Sequence, residues 1–238
     1  MKVMVKMKVK LVAYTPNPEL VCAAAAQTSV KEENLEKIFA EMTDEKARKL
    51  IRNVVSRGHV SIVEHASFTF AVEDVSRSLT HQLVRHRIAS YTQQSQRYVK
   101  LKADSDWFVI PHTFKTPEQQ EKFKQRMAEI AKWYEEAVAD GIPAEDARFY
   151  LPNAAKTAIT VTMNARELLH FFGLRCCARA QWEIKELADL MLAEAKRVAP
   201  VIFESAGPNC VQLGYCPEGA KKPAECDIAQ LRKKYKGE

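Results

Sequence analysis

Between Gln82 and Tyr98 the chain gathers Arg85, His86, Arg87 and Arg97 with Ser90, Ser95, Gln82, Gln93, Gln94 and Gln96, without one aspartate or glutamate. That inventory supplies donors for phosphate oxygens and for the edge of a heterocycle. A guanidinium offers planar, paired N–H donors and never loses its charge. Hydroxyls and amides add neutral donors and acceptors that can read carbonyl and imide groups. The spacing is Arg85-His86-Arg87, seven residues, Ser95, and then Arg97. On composition alone the same stretch reads equally as a solvated basic surface, because arginines are mostly exposed.

The rest of the chain bounds what such a stretch can serve. With 238 residues the protein can bury a full core as one domain or two small ones. Seven glycines argue against a repeat protein or a glycine-rich dinucleotide loop. The net charge of +6 suits anionic ligands, but 30 acids interspersed with 36 basic residues make it weak evidence for nucleic acid. No apolar run reaches the roughly 18 residues that a membrane span needs, so no membrane partner is expected. The opening residues alternate lysine with apolar side chains, a strand period rather than a secretory signal. Adjacent Cys176 and Cys177 are no disulfide framework, which points to a reducing cytoplasm. Cys210, Cys216 and Cys226 lack a metal-ligand spacing, and no metal is expected.

The elements that must position the chemistry can be read in order. Residues 3–14 read as a strand closed by Pro16 and Pro18, and Leu20–Gln27 as a helical turn. From Glu32 to Arg57 the apolar spacing is that of an amphipathic helix, interrupted where Thr43 can cap a second one, with Gly58 as its stop. Phe68–Val72 reads as a strand, Ser76–Val84 as helix, and Trp107–Pro111 as a short strand candidate. Thr116-Pro117-Glu118 is a strong start for a helix ended by Gly141. Ala144–Phe149 reads as a short helix and Lys156–Met163 as a strand. Asn164 opens a helix with Glu167 as capping-box partner, and Gly173 is expected to end it, leaving Arg175 just beyond. Gln181–Phe203 carries the clearest amphipathic period. The expected fold is α+β, with a small mixed or antiparallel sheet flanked by long helices: a single domain over 1–208 and an irregular extension over 209–238.

Five blocks then recur together: Gly58-His59-Val-Ser61-Ile-Val-Glu64-His65; the Arg85 motif; Arg148 ahead of Leu151-Pro152; Thr162-Met-Asn164-Ala-Arg166; and Leu174-Arg175 followed by Ala180-Gln-Trp-Glu-Ile184. In order and spacing they resemble the flavin-dependent thymidylate synthases, whose signature is Arg-His-Arg, seven residues, Ser. The resemblance covers His59 to about Ile184. It implies reductive methylation of dUMP at C5 to dTMP, with methylenetetrahydrofolate as carbon donor and FAD, reduced by NADPH, as hydride donor. It also implies a homotetramer with active sites shared between subunits. No cysteine here is paired in sequence with an activating base, which agrees with chemistry carried by a cofactor.

Carried over residue by residue, the resemblance makes Ser61, Arg85, His86, Arg87, Gln93, Asn164, Arg166 and His170 flavin contacts, with His59 beside the flavin and help from the helix N-terminus at Asn164. Gln82, Arg85, Gln93, Gln94, Ser95, Gln96, Arg97, Arg148 and Arg175 become the nucleotide contacts. Arg175 would lie along the uracil edge and stabilise negative charge developing at N3 and O2. Ser95 has no adjacent base and is read as a hydrogen-bonding group near the reaction. Gln93 stands where the family often has glutamate, and His170 where some members have asparagine. The competing reading is a basic single-stranded nucleic-acid-binding protein that stacks bases on Tyr91 and Tyr98. Against it, the arginines lie on four distant segments and converge only if folded into a pocket.

Overall fold

A computed structural model describes residues 7–102, 106–224 and 226–237. The fold is α+β. Four strands, β1 (Lys8–Tyr14), β2 (Ser67–Ser76), β3 (Ala89–Gln93) and β4 (Lys156–Asn164), form one sheet in the order β1-β2-β4-β3. It is antiparallel: Thr15 after β1 bonds Ser67 at the start of β2, and Ala165 after β4 bonds Ala66 just before β2. Residues 3–6 of the expected first strand lie outside the described residues. Burial alternates along β4, where Thr157, Ile159, Val161 and Met163 point inward, the period of a sheet with one covered face.

The helices are α1 (Pro18–Thr28), α2 (Leu35–Ala40), α3 (Asp44–Ser56), α4 (Arg77–Leu83), α5 (Pro117–Ala139), α6 (Ala144–Ala147), α7 (Ala165–Arg175), α8 (Trp182–Val198), α9 (Asn209–Leu213) and α10 (Ile228–Lys236). Their starts follow the caps legible in the sequence. Thr43 accepts from Lys46 N–H, Ser76 from Leu79 N–H, and Thr116 and Gln119 form a complete capping box. Gly58 stops α3 with φ at 83°.

Several expectations are corrected. Trp107–Pro111 forms only a single bridge, Phe108 to Ala155, rather than a strand. Gly173 does not end α7, which continues to Arg175; the missing Cβ instead makes room for Asn209, whose Oδ1 would lie 2.2 Å from it. α8 ends at Val198 rather than Phe203, because Pro200 cannot continue a helix. Residues 209–238 are not mostly irregular: Asp227 caps α10 through Ala229 and Gln230 N–H, and Tyr235 anchors it.

By its contacts the chain divides into two compact units. One contains Val72–Arg85 and Tyr91–Thr160, the other Val9–Ala71, His86–Ser90 and Val161–Glu238. Within the first, Trp107, Met127, Ala131 and Ala155 form a core edged by Phe108 and Phe123. Within the second, Phe203 packs edge-on to Phe68 and Phe172 with centroids 5.4 and 5.9 Å away. The Tyr235 hydroxyl donates to Asp189 at 2.6 Å, which fixes the ring against Gly207. A Cβ on Gly207 would fall 2.8 Å from Cγ of that ring, at a φ of 157°. Gly207→Ala is therefore expected to destabilise the fold by about 1–3 kcal/mol, the range for overpacking, measured by urea unfolding at unchanged m-value.

Candidate functional site

In the first unit two of the expected nucleotide contacts, Arg97 and Arg148, meet at Glu145. Arg97 reaches its Oε2 at 2.8 Å, and Arg148 Nε donates to its backbone carbonyl at 2.9 Å. Ser95 Oγ accepts from Arg97 N–H at 3.2 Å and so shapes the turn that carries that arginine. The sequence reading missed Arg77. It stands at the start of α4, where Arg77 and Ser78 N–H donate to the Ala155 and Asn153 carbonyls. Burial, and then the neighbouring Arg148 charge, hold its guanidinium below the ordinary arginine range. Two like charges set side by side in a partly desolvated place are the setting in which a dianion binds well. No local pattern marks Arg77, because what matters is its distance from a residue 71 positions later.

Gln93 closes β3, and its side chain has one orientation. The Thr80 hydroxyl donates to the Arg77 carbonyl and the Thr157 hydroxyl to the Ala158 carbonyl. Both hydroxyl oxygens must then accept, and Gln93 Nε2 donates to them at 3.0 and 3.3 Å. The amide donors are spent, so Gln93 offers its carbonyl oxygen to a ligand. That is the acceptor role a glutamate would fill. Gln82 is half-buried on α4, Arg85 follows it exposed, and Gln94 and Gln96 lie in the loop beyond β3. Tyr91, a candidate base-stacking group, instead donates to the Leu83 carbonyl at 2.8 Å.

The second unit holds the expected flavin contacts other than Arg85 and Gln93, together with Arg175. His59 and Ser61 are exposed at and after the start of a 3-10 turn, Val60–His65. Arg87 is exposed, and Arg166 forms an ion pair with Glu64. Asn164 caps α7 by accepting from Glu167 N–H at 2.9 Å. The capping box is only half made, because the Glu167 carboxylate turns inward to His86. The α7 N-terminus also has less to offer a ligand than expected: Ala165 N–H is taken by the Ala66 carbonyl and Glu167 N–H by Asn164.

His86 is the buried centre of this unit's polar groups, 5% exposed. Its Nδ1 lies 3.2 Å from Glu167 Oε1, and Arg175 Nε donates to its Nε2 at 3.1 Å. Since Nε2 accepts, the proton is on Nδ1 and the ring is neutral; the Glu167 contact is a hydrogen bond rather than an ion pair. Burial, and then the charges of Arg175 and His170, push the imidazole down to about 4. Burial likewise raises the Glu167 carboxyl and lowers the Arg175 guanidinium. His86 was expected to touch the flavin, and in this chain both its nitrogens are occupied. His170 is exposed, with its ring centroid 5.7 Å from that of His86.

Residues 10–201 match the family model described as thymidylate synthase complementing protein. A flavin-dependent thymidylate synthase of Geobacter sulfurreducens is 50% identical over 214 residues, covering 90% of this chain and 92% of its own. One from Clostridium tetani is 46% identical, and one from Pyrococcus furiosus 49% identical, each match covering 96% of both chains.

Proposed function

The chain belongs to the flavin-dependent thymidylate synthases, and from that membership we propose that it makes dTMP from dUMP by reductive methylation at C5. The observation that carries the reading is Arg175. Its Nε is held by a neutral buried histidine, and among the described residues its two terminal Nη groups have no acceptor. A guanidinium so fixed presents a planar pair of donors, the shape of the uracil O2 and N3 edge. Donors in place before reaction stabilise charge developing on that edge as C5 becomes nucleophilic.

Arg97 and Arg148, with Arg77 added, take the nucleotide phosphate. Gln82, Arg85, Gln94, Gln96 and Ser95 complete its contacts, and the Gln93 carbonyl accepts from it. Ser95 acts as a hydrogen-bonding group, having no base to activate it.

The residues present fit a flavin dinucleotide. Arg85 and Arg87 are exposed cations with no carboxylate partner among the described residues, as an anionic diphosphate requires. His59, Ser61, Asn164, Arg166 and His170 would line the cofactor with them. When bound, the flavin carries a hydride derived from NADPH to the one-carbon unit supplied by methylenetetrahydrofolate.

We place residues 1–208 in one catalytic domain working as a homotetramer in a reducing, cytoplasmic setting. Exposed apolar groups support assembly: Ile88 beside Arg87 is 69% exposed, and Phe149 beside Arg148 84%. Cys22, Cys176 and Cys210 are buried as free thiols, which suits a reducing compartment. The ligands are single nucleotides and cofactors rather than nucleic acid or a membrane; no described helix is long and apolar enough to cross one.

The test is a visible spectrum of protein incubated with FAD and desalted, then titrated with dUMP. A retained flavin band that shifts with nucleotide, followed by dTMP formation with NADPH and methylenetetrahydrofolate, is expected. Colourless protein that ignores dUMP and binds oligonucleotides with steep salt dependence would replace this reading with the nucleic-acid one.

A further inference from the structure

The motif histidine is buried beneath the residue that would do the chemistry, and its two nitrogens face groups of opposite character. We infer that His86 is a positioning residue for Arg175, with Glu167 fixing the tautomer that lets it serve. The inference rests on the reading of Arg175 as the uracil-edge contact.

The argument starts from α7. Arg175 is its last residue, where a long side chain has many rotamers and loses that freedom when ordered. Something must hold it if a planar pair of donors is to meet a planar substrate edge. A carboxylate would do so strongly, but it would also neutralise the guanidinium and compete with the substrate's developing charge. A neutral imidazole lone pair holds Nε at 3.1 Å and leaves the positive charge in place.

That lone pair exists on Nε2 only if the proton sits on Nδ1. Glu167, 7% exposed and 3.2 Å from Nδ1, is the acceptor that selects this tautomer. The ring cannot readily turn to another arrangement, because Phe171 packs edge-on to it at 4.9 Å and His170 lies on a further side. The other tautomer, or the imidazolium, would set an N–H against the Arg175 N–H. Glu167, Phe171 and Arg175 sit four residues apart along α7, so one helix supplies the tautomer's acceptor, the ring's wall and the group to be aimed.

The experiment compares Glu167→Gln and Glu167→Leu in two backgrounds, wild type and Arg175→Lys, reading dUMP affinity from the flavin band and turnover as dTMP. Gln keeps a carbonyl acceptor for Nδ1–H, and Leu keeps volume without one. Leu is expected to lower kcat/KM for dUMP on the order of 10- to 100-fold, the loss typical when a partner orienting an imidazole is removed. Gln should recover all but a few-fold of it. In the Arg175→Lys background Leu should add little, since the group it acts through is gone. Equal losses in both backgrounds, or Gln as damaging as Leu, would mean that Glu167 is merely structural and would overturn the inference.

A readout independent of activity is the 15N spectrum of labelled histidines. His86 should show a protonated Nδ1 and a bare Nε2 at neutral pH, and a charged ring there would equally overturn it. Wild-type protein that holds FAD but never responds to dUMP would instead sink the functional reading, with the tautomer still decided by the spectrum.

Discussion

Replacing Arg175 by lysine should leave a folded protein that still holds FAD and should lower turnover of dUMP by about 10²–10³, the loss typical of removing a preorganised donor from a site of developing charge. Charge alone is conserved in this substitution, so the loss isolates geometry. An ammonium is a point charge on a flexible stem and has no planar fork. It can satisfy His86 Nε2 or turn toward a ligand, but it cannot span two adjacent substrate atoms while doing the first. Arg175→Ala should lose at least as much and should also leave the buried Nε2 without its donor. The measurement is kcat and KM for dUMP under saturating folate and NADPH, alongside the unfolding midpoint. A lysine variant with unchanged kcat/KM would show that the uracil edge is read by some other group.

Acid should destabilise the fold through His86 at a pH where ordinary carboxylates are still charged. The imidazole titrates near 6.5 when unfolded and is pushed down to about 4 by burial, Arg175 and His170. Between those values the unfolded chain binds the proton and the folded chain does not, so stability falls as pH drops from 6.5 toward 4 and is complete above 6.5. From this group alone the loss is on the order of 3 kcal/mol. Glu167, the carboxylate bonded to the ring, works against it. Its carboxyl is raised by burial, so it becomes easier to keep folded as it protonates. The two are separated by comparing wild type with His86→Gln and Glu167→Gln in urea titrations across this range. The stability advantage of wild type over His86→Gln should shrink toward pH 4, and Glu167→Gln should steepen the acid loss. A wild-type advantage constant with pH would mean that the histidine takes its proton in the folded state as readily as in the unfolded one.

Both predictions depend on contacts that no window of sequence contains. His86 meets Glu167 across 81 positions and Arg175 across 89. Read locally, Glu167 was half of a capping box, and the acid three residues after Asn164 supports that pattern. The carboxylate had a second possible partner, a buried imidazole, and in a low-dielectric interior that bond outweighs an exposed N–H at a helix start. Gly173 departs from its local signal for a related reason. A glycine near the end of a helix is the usual stop signal, but here its value is the space it leaves for Asn209.

What the chain determined by itself is what acts over three or four residues. The caps at Thr43, Ser76, Thr116 and Asn164, the alternation along β4 and the stop at Gly58 set the elements where they were expected. The Arg85 motif and its companion blocks likewise carried the family, because a run of residue types is visible without coordinates. Only the tertiary structure decided what each of those side chains touches. It set Arg77 beside Arg148, turned Gln93 into an acceptor by spending its donors on two threonines, and buried His86 under Arg175. The physical reason is that caps and periodicities are satisfied by a residue's near neighbours, whereas the protonation, orientation and charge of a functional group are set by whatever the fold packs against it.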